Sequence, residues 1–241
     1  MEIANYRREN TPVDQNSRAK KTPFNWPVVG FLLFMTAIPA IPAFFLIALV
    51  LLGPSTIEGV SSTIDPLHFS TPAAVIIHGG SGILFFLTMP FQFSPSLREK
   101  KENWHKKGGY VAVLSGYVMA ISGIWLHHVL FPDIFGMRYV SLAIVSAGMC
   151  IAFSVALFCI IQRNIHSHIQ WMCRAVAISL AVVTPIFLEI PIFLMLGQLD
   201  EILRLASQFM HNYDRLLGMG INLMLVEYIF YKRLRQAGMP K

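Results

Sequence analysis

The chain has 241 residues, 55% of them hydrophobic and only 13% charged, with a mean hydropathy of +0.57. A soluble domain carries about twice that charged fraction, so water is not the main solvent of this chain. Its net charge of +6 and pI near 9.4 would suggest nucleic acid in a soluble protein. Here the basic residues flank apolar runs, where they meet anionic lipid headgroups, and a nucleic-acid partner is excluded.

Residues 1–27 form a polar segment carrying Arg7, Arg8, Arg18, Lys20 and Lys21, expected to be flexible and cytoplasmic. No short apolar core with a small-residue cleavage site follows it, so the first apolar run is expected to remain as an anchor. Six runs reach the roughly 20 residues that a hydrocarbon core demands: 28–53, 71–93, 109–131, 139–162, 171–197 and 208–231. Lipid offers no partner for unpaired backbone groups, so each run must be a helix. The predicted fold class is an all-α integral membrane bundle of six transmembrane helices over 28–231, followed by a basic cytoplasmic tail, 232–241.

Most Lys and Arg fall in every second gap between these runs. Segment 54–70 has none, whereas 94–108 carries Arg98, Lys100, Lys101, Lys106 and Lys107. Only Arg138 and Arg204 mark the remaining gaps on that first, uncharged side, against Arg163 and the tail residues Lys232, Arg233, Arg235 and Lys241 on the other. Cationic loops stay in the cytoplasm, so both termini are predicted to lie there. Pro39 and Pro42 in the first run, and Pro185 and Pro191 in the fifth, each remove a helical hydrogen bond and predict kinks that neighbouring helices absorb. Cys150, Cys159 and Cys173 are odd in number and lie in or beside spans, which predicts packing residues and no disulfide framework.

The topology sorts the histidines by depth. His78, His127, His128 and His211 fall toward the outer ends of runs two, three and six, and His105, His166 and His168 at the inner boundary. Two neutral imidazoles facing each other at one depth are what a b-type haem needs for axial ligation. His78, followed by Gly79, Gly80 and Gly82, is the best candidate ligand, because the glycines let a second backbone or a flat macrocycle approach. His127, His128 or His211 would supply its partner. His211, Asp214 and Arg215 stand at i, i+3 and i+4 and share a helix face. With Glu189 they form an outer polar group, either a register-fixing ion pair or an internal site.

At the inner boundary, WHKKGGY and HSHIQWMCR adjoin helix starts. Trp104, Trp171 and the basic residues suit an interfacial belt, which explains everything there except the histidines. His105 and His168 could ligate an inner haem or a metal, or hold a quinone headgroup, with Arg174 countering a propionate or a quinone anion. Across the chain, metal-ligand candidates are His78, His105 and His168; a zinc or copper site at His166 and His168 has no Cys or carboxylate at ligand spacing to complete it.

HGGSG at His78, PFQF ending at Phe93, HKKGGY from His105 and HIQWMCR from His168 resemble the motif set of a bacterial family of predicted multipass membrane proteins, domain-of-unknown-function family 2306. The likeness runs from about 70 to 231. Where the family pattern has Arg after the second-loop His and again four residues on, this chain has Lys106 and Gly109. The resemblance implies a helical fold in a bacterial inner (plasma) membrane, with His78, His105, His168 and Arg174 at motif positions, and implies no activity.

Three functions follow as expectations: a haem-binding or quinone-linked electron-transfer subunit with a redox partner protein, a proton-coupled small-molecule transporter using Glu189, Asp214 and Arg215, or a non-catalytic scaffold. No phosphate loop, nucleophile elbow or His-Glu-x-x-His helix points to a hydrolase or transferase.

Overall fold

The computed structural model describes residues 24–53, 65–196, 200–236 and 238. Most of the predicted N-terminal segment, including Arg7, Arg8, Arg18, Lys20 and Lys21, lies outside the described residues, as do 54–64 and Lys241. Helices follow one another as α1 (Trp26–Leu52), α2 (Leu67–Ser70), α3 (Pro72–Thr88), α4 (Pro95–Lys100), α5 (Glu102–Leu130), α6 (Met137–Ile161), α7 (Ile165–Ser179), α8 (Thr184–Leu196) and α9 (Asp200–Gln236). Two 3-10 turns, Pro90–Phe93 and Leu180–Val182, extend α3 and join α7 to α8. The described residues form no strand.

Five helical stretches among the described residues are long and apolar enough to cross a membrane: Trp26–Leu52, Pro72–Phe93, Glu102–Leu130, Met137–Ile161 and Ile165–Ile192. The sixth predicted run, 208–231, is helical within α9 but does not join these five, because His211, Asp214, Arg215 and Glu227 interrupt its apolar content. The basic segment 94–108 is helical rather than a loop. Ser94 precedes α4, and α5 begins at Glu102, where a Glu102–Lys106 ion pair of 2.6 Å spans its first turn. That pairing of residues four apart favours the helix.

The core forms where α3, α5 and α6 meet. Phe85 and Phe153 are fully buried with ring centroids 6.0 Å apart, edge to face, and Met89, Ala152 and Met149 fill the space around them. Outside this core the molecule is covered with large apolar side chains. Phe44, Phe45, Leu114 and Ile121 are each more than half exposed, and the apolar window of α1 is only 11% buried. In water such a surface would associate; against lipid it costs nothing.

The predicted kinks divide. Pro39 and Pro42 lie inside the unbroken α1, and Pro191 inside α8. Only Pro185 coincides with a break, at the turn Leu180–Val182, and α9 supplies the backbone's missing partners. Asn222 Nδ2 donates to the Ala177 carbonyl (3.0 Å), while Asn222 Oδ1 accepts from the Thr184 hydroxyl (2.8 Å). Gly218 brings α9 against the break, since a methyl group there would collide with the Ala181 carbonyl oxygen. A neighbouring helix therefore absorbs the break, as the sequence led one to expect.

Candidate functional site

One end of the bundle gathers the end of α3, the starts of α5 and α7, and the end of α6. Pro90 has no N–H to continue α3, so the chain tightens into the 3-10 turn that carries Gln92. Phe91 of that turn packs edge-on against Trp104 of α5, centroids 6.2 Å apart. On the otherwise exposed first turns of α5, His105, Gly108 and Gly109 are the half-buried positions, and their i, i+3, i+4 spacing gives them one face. The Gln92 amide lies on this face. A methyl group at Gly108 would stand 2.7 Å from Gln92 Nε2, so the missing side chain is what seats the amide.

Four buried polar atoms here have no hydrogen-bond partner: Gln92 Nε2, Gln92 Oε1, Ser94 Oγ and His105 Nδ1. Burying such an atom unpaired costs about 1–3 kcal/mol each, so their grouping near this junction singles it out as the candidate site. His168 and Arg98 are close enough to His105 for their charges to act on it. His168 Nδ1 lies 2.8 Å from the Ala156 carbonyl. A carbonyl only accepts, so Nδ1 carries the proton and Nε2 is left as a free acceptor in the neutral ring. This end of the bundle therefore carries donors, the Gln92 N–H groups and the Ser94 hydroxyl, and acceptors, Gln92 Oε1 and His168 Nε2, with no partner among the described residues.

Arg174, one and a half turns further along α7, already has a counter-ion. Its guanidinium donates twice to Glu227 of α9 (2.6 and 3.1 Å) and stacks 4.7 Å over the Trp171 ring. His166 is exposed.

His78 sits deeper, about 20 Å along α5 from His105, as the 1.5 Å rise per residue from His105 to Met119 requires. Its Nδ1 donates to the Met119 carbonyl (3.1 Å) and lies 3.2 Å from Ser122 Oγ. Gly123 makes room for the ring, since a methyl there would stand 3.2 Å from its Cε1. This fixes the ring as metal-ligating imidazoles are fixed, with Nε2 unprotonated. The cavity it borders measures about 150 Å³, and His78 is the one imidazole in its lining. That volume is smaller than the roughly 300–1,000 Å³ of cofactor pockets.

At the opposite end, His127 and His128 pack around Tyr139 with centroids 5.2 and 5.1 Å away, and each is bonded to a backbone carbonyl, of Ile134 and Ile124. His211 accepts from Arg138 Nη1 at 3.2 Å. The contacts therefore separate His105 and His168 from His127, His128 and His211 along the bundle, with His78 between. The cavity at His78 and the cavity at His211 are each lined by one of these histidines. No group of three or more His, Cys, Asp or Glu among the described residues is arranged to hold a metal ion.

The polar group on α8 and α9 is looser than an ion pair would make it. Arg215 Nη1 lies 3.9 Å from Asp214 Oδ1 and has no hydrogen-bond partner, and Glu189 pairs with neither arginine among the described residues. Gln92, Ser94, Arg138 and Glu227 are the residues that motif reading did not select. For Gln92 the signal was present, as a lone amide closing an apolar run inside PFQF. For Glu227 it was absent, because 53 residues separate it from Arg174.

Among curated proteins and among solved structures, nothing matches this chain. A family model described as "Predicted membrane protein (DUF2306)" matches residues 75–226, a stretch that includes Gln92, Ser94, His105 and His168. The chain is a membrane protein of the DUF2306 family.

Proposed function

We propose that the protein binds the headgroup of a membrane quinone at the Gln92–Ser94–His105–His168 site and serves there as a quinone-linked electron-transfer subunit. The observation that carries this reading is the set of four unpartnered buried polar atoms at one helical junction. A quinone presents two carbonyl oxygens, which accept from the Gln92 N–H and the Ser94 hydroxyl; a quinol presents two O–H groups, which donate to Gln92 Oε1 and His168 Nε2. The amide offers a donor and an acceptor, so it serves both oxidation states, with the Ser94 hydroxyl as the second partner of the quinone and His168 Nε2 that of the quinol. His105 and His168 are the groups placed to exchange the protons that accompany reduction. The headgroup enters from lipid, the solvent the isoprenoid tail requires.

The reading includes a six-span topology in a bacterial plasma membrane with both termini cytoplasmic, α9 being the sixth span. What supports it is that Arg98, Lys100, Lys101, Lys106, Lys107, Arg163, Lys232, Arg233 and Arg235 belong to the same end of the bundle as His105. The site then lies at the cytoplasmic boundary, where a redox partner protein can reach it. The Glu227 contact of Arg174 supports a packing role for that arginine rather than one at the headgroup.

The test is a titration of the protein in lipid nanodiscs with decylubiquinone, followed by quenching of tryptophan fluorescence, since Trp104 and Trp171 flank the site. Saturable quenching in the wild type and at least tenfold weaker binding in Gln92→Leu are expected, because leucine keeps the bulk and removes both polar atoms. Equal binding in the two proteins overturns the assignment.

A further inference from the structure

At the end of the bundle away from His105, the start of α6, the end of α8 and the first half of α9 border an open cleft of about 540 Å³. Its size lies in the range of small-molecule sites. Four charged or titratable side chains line it, Arg138, Glu189, His211 and Asp214, together with apolar residues such as Leu203 and Met210. The frame is pinned: Ser141 Oγ donates to the Asn212 carbonyl of α9 (2.9 Å), and Arg138 Nη1 donates to the His211 ring (3.2 Å).

Both signs of charge line the cleft, Arg138 against Glu189 and Asp214, with no close ion pair between them. Asp214 turns Oδ1 back onto the backbone N–H of Arg215 (2.6 Å), which leaves Oδ2 open. Glu189 is exposed and enters no ion pair among the described residues. Arg215 lies outside the cleft lining, its buried Nη1 3.9 Å from Asp214 Oδ1 as a loose ion pair with no hydrogen bond. Arg138 spends one N–H on His211 and has the rest of its fork free. In a segment bordered by lipid, ionised groups left apart in this way are costly unless something bridges them.

We infer that this cleft is a binding site for a zwitterion with an apolar body, of amino-acid to dipeptide size, whose ammonium sits between Glu189 and Asp214 and whose carboxylate is held by Arg138. The two carboxylates match three ammonium donors, the guanidinium fork matches a carboxylate, and the aliphatic wall takes the side chain. A simple cation or anion would leave one half of the set unpaired. The inference uses none of the residues of the quinone site, so each can fail without the other.

The probe is leucyl-leucine, measured by equilibrium dialysis against the full chain in nanodiscs, beside its amide, which keeps only the positive charge, and its N-acetyl form, which keeps only the negative one. Saturable binding of the free dipeptide, at least tenfold tighter than either capped form, is expected. Glu189→Gln should erase the preference over the N-acetyl form while keeping that over the amide, and Arg138→Gln should do the reverse. Because Glu189 has no ion pair to lose in the fold, its variant carries the test if Arg138→Gln does not fold. Equal binding of all three compounds, no saturable binding, or a preference untouched by Glu189→Gln overturns the inference.

Discussion

Gly108 decides where the Gln92 amide can sit. With a methyl group there the nearest atom would be Gln92 Nε2 at 2.7 Å, the mobile end of a side chain, which can swing away. Alanine also favours a helix over glycine by about 1 kcal/mol. Gly108→Ala is therefore expected to leave thermal stability equal or higher while weakening decylubiquinone binding at least fivefold, a separation that a merely structural glycine would not produce. His168 behaves differently: its ring is held through Nδ1 and its acceptor is Nε2. His168→Asn, whose amide reaches Nδ1's position only, is expected to fold and to bind the quinone analogue more weakly, read by the same titration. Much of this site was visible in the residues. His105, His168 and the paired glycines stood out by motif and depth, whereas Ser94 did not, because a serine before a helix reads as a cap until its hydroxyl is found without a partner.

At the scale of elements, the join between α7 and α8 depends on α9. Asn222 meets the Ala177 carbonyl and the Thr184 hydroxyl where the helix loosens ahead of Pro185. Asn222→Leu should cost about 1–3 kcal/mol, the price of stranding those groups, and lower the midpoint of thermal unfolding in detergent. A loss within error would mean that water already serves the break. The prolines announced trouble in the fifth run, but not that one of four would coincide with a break, since that depends on whether a glycine and an amide face the gap from another helix. Helix ends were misjudged for a similar reason. The charged segment 94–108 reads as a loop by hydropathy, yet the Glu102–Lys106 pair and the α4 turn make it helical. Hydropathy reports the solvent of a segment and says little about its backbone.

For the whole molecule, apolar content and cation placement gave the membrane and the helical class; the family match over residues 75–226 agrees with the first and the helices of the described residues with the second. Contacts put His105 and His168 at one end of the bundle and His127, His128 and His211 at the other, while His78, expected with the second group, lies between them at the level of Met119. Their pairing did not follow from depth, because depth says nothing about which way a helix face turns; His127 and His128 turn onto Tyr139 and backbone carbonyls, and His211 onto Arg138. If the cationic end is cytoplasmic, cysteines placed at Asn103 and Asp133, in a chain with its three native cysteines replaced, should be labelled from opposite sides of the membrane. Labelling of both from one side would remove the topology. The quinone site can be tested most directly by photolabelling. An azidoquinone, activated in membranes and traced by mass spectrometry, is expected to mark the peptides around Gln92–His105 and His168 and to be displaced by excess decylubiquinone; labelling that lies elsewhere, or that excess quinone leaves unchanged, contradicts the account.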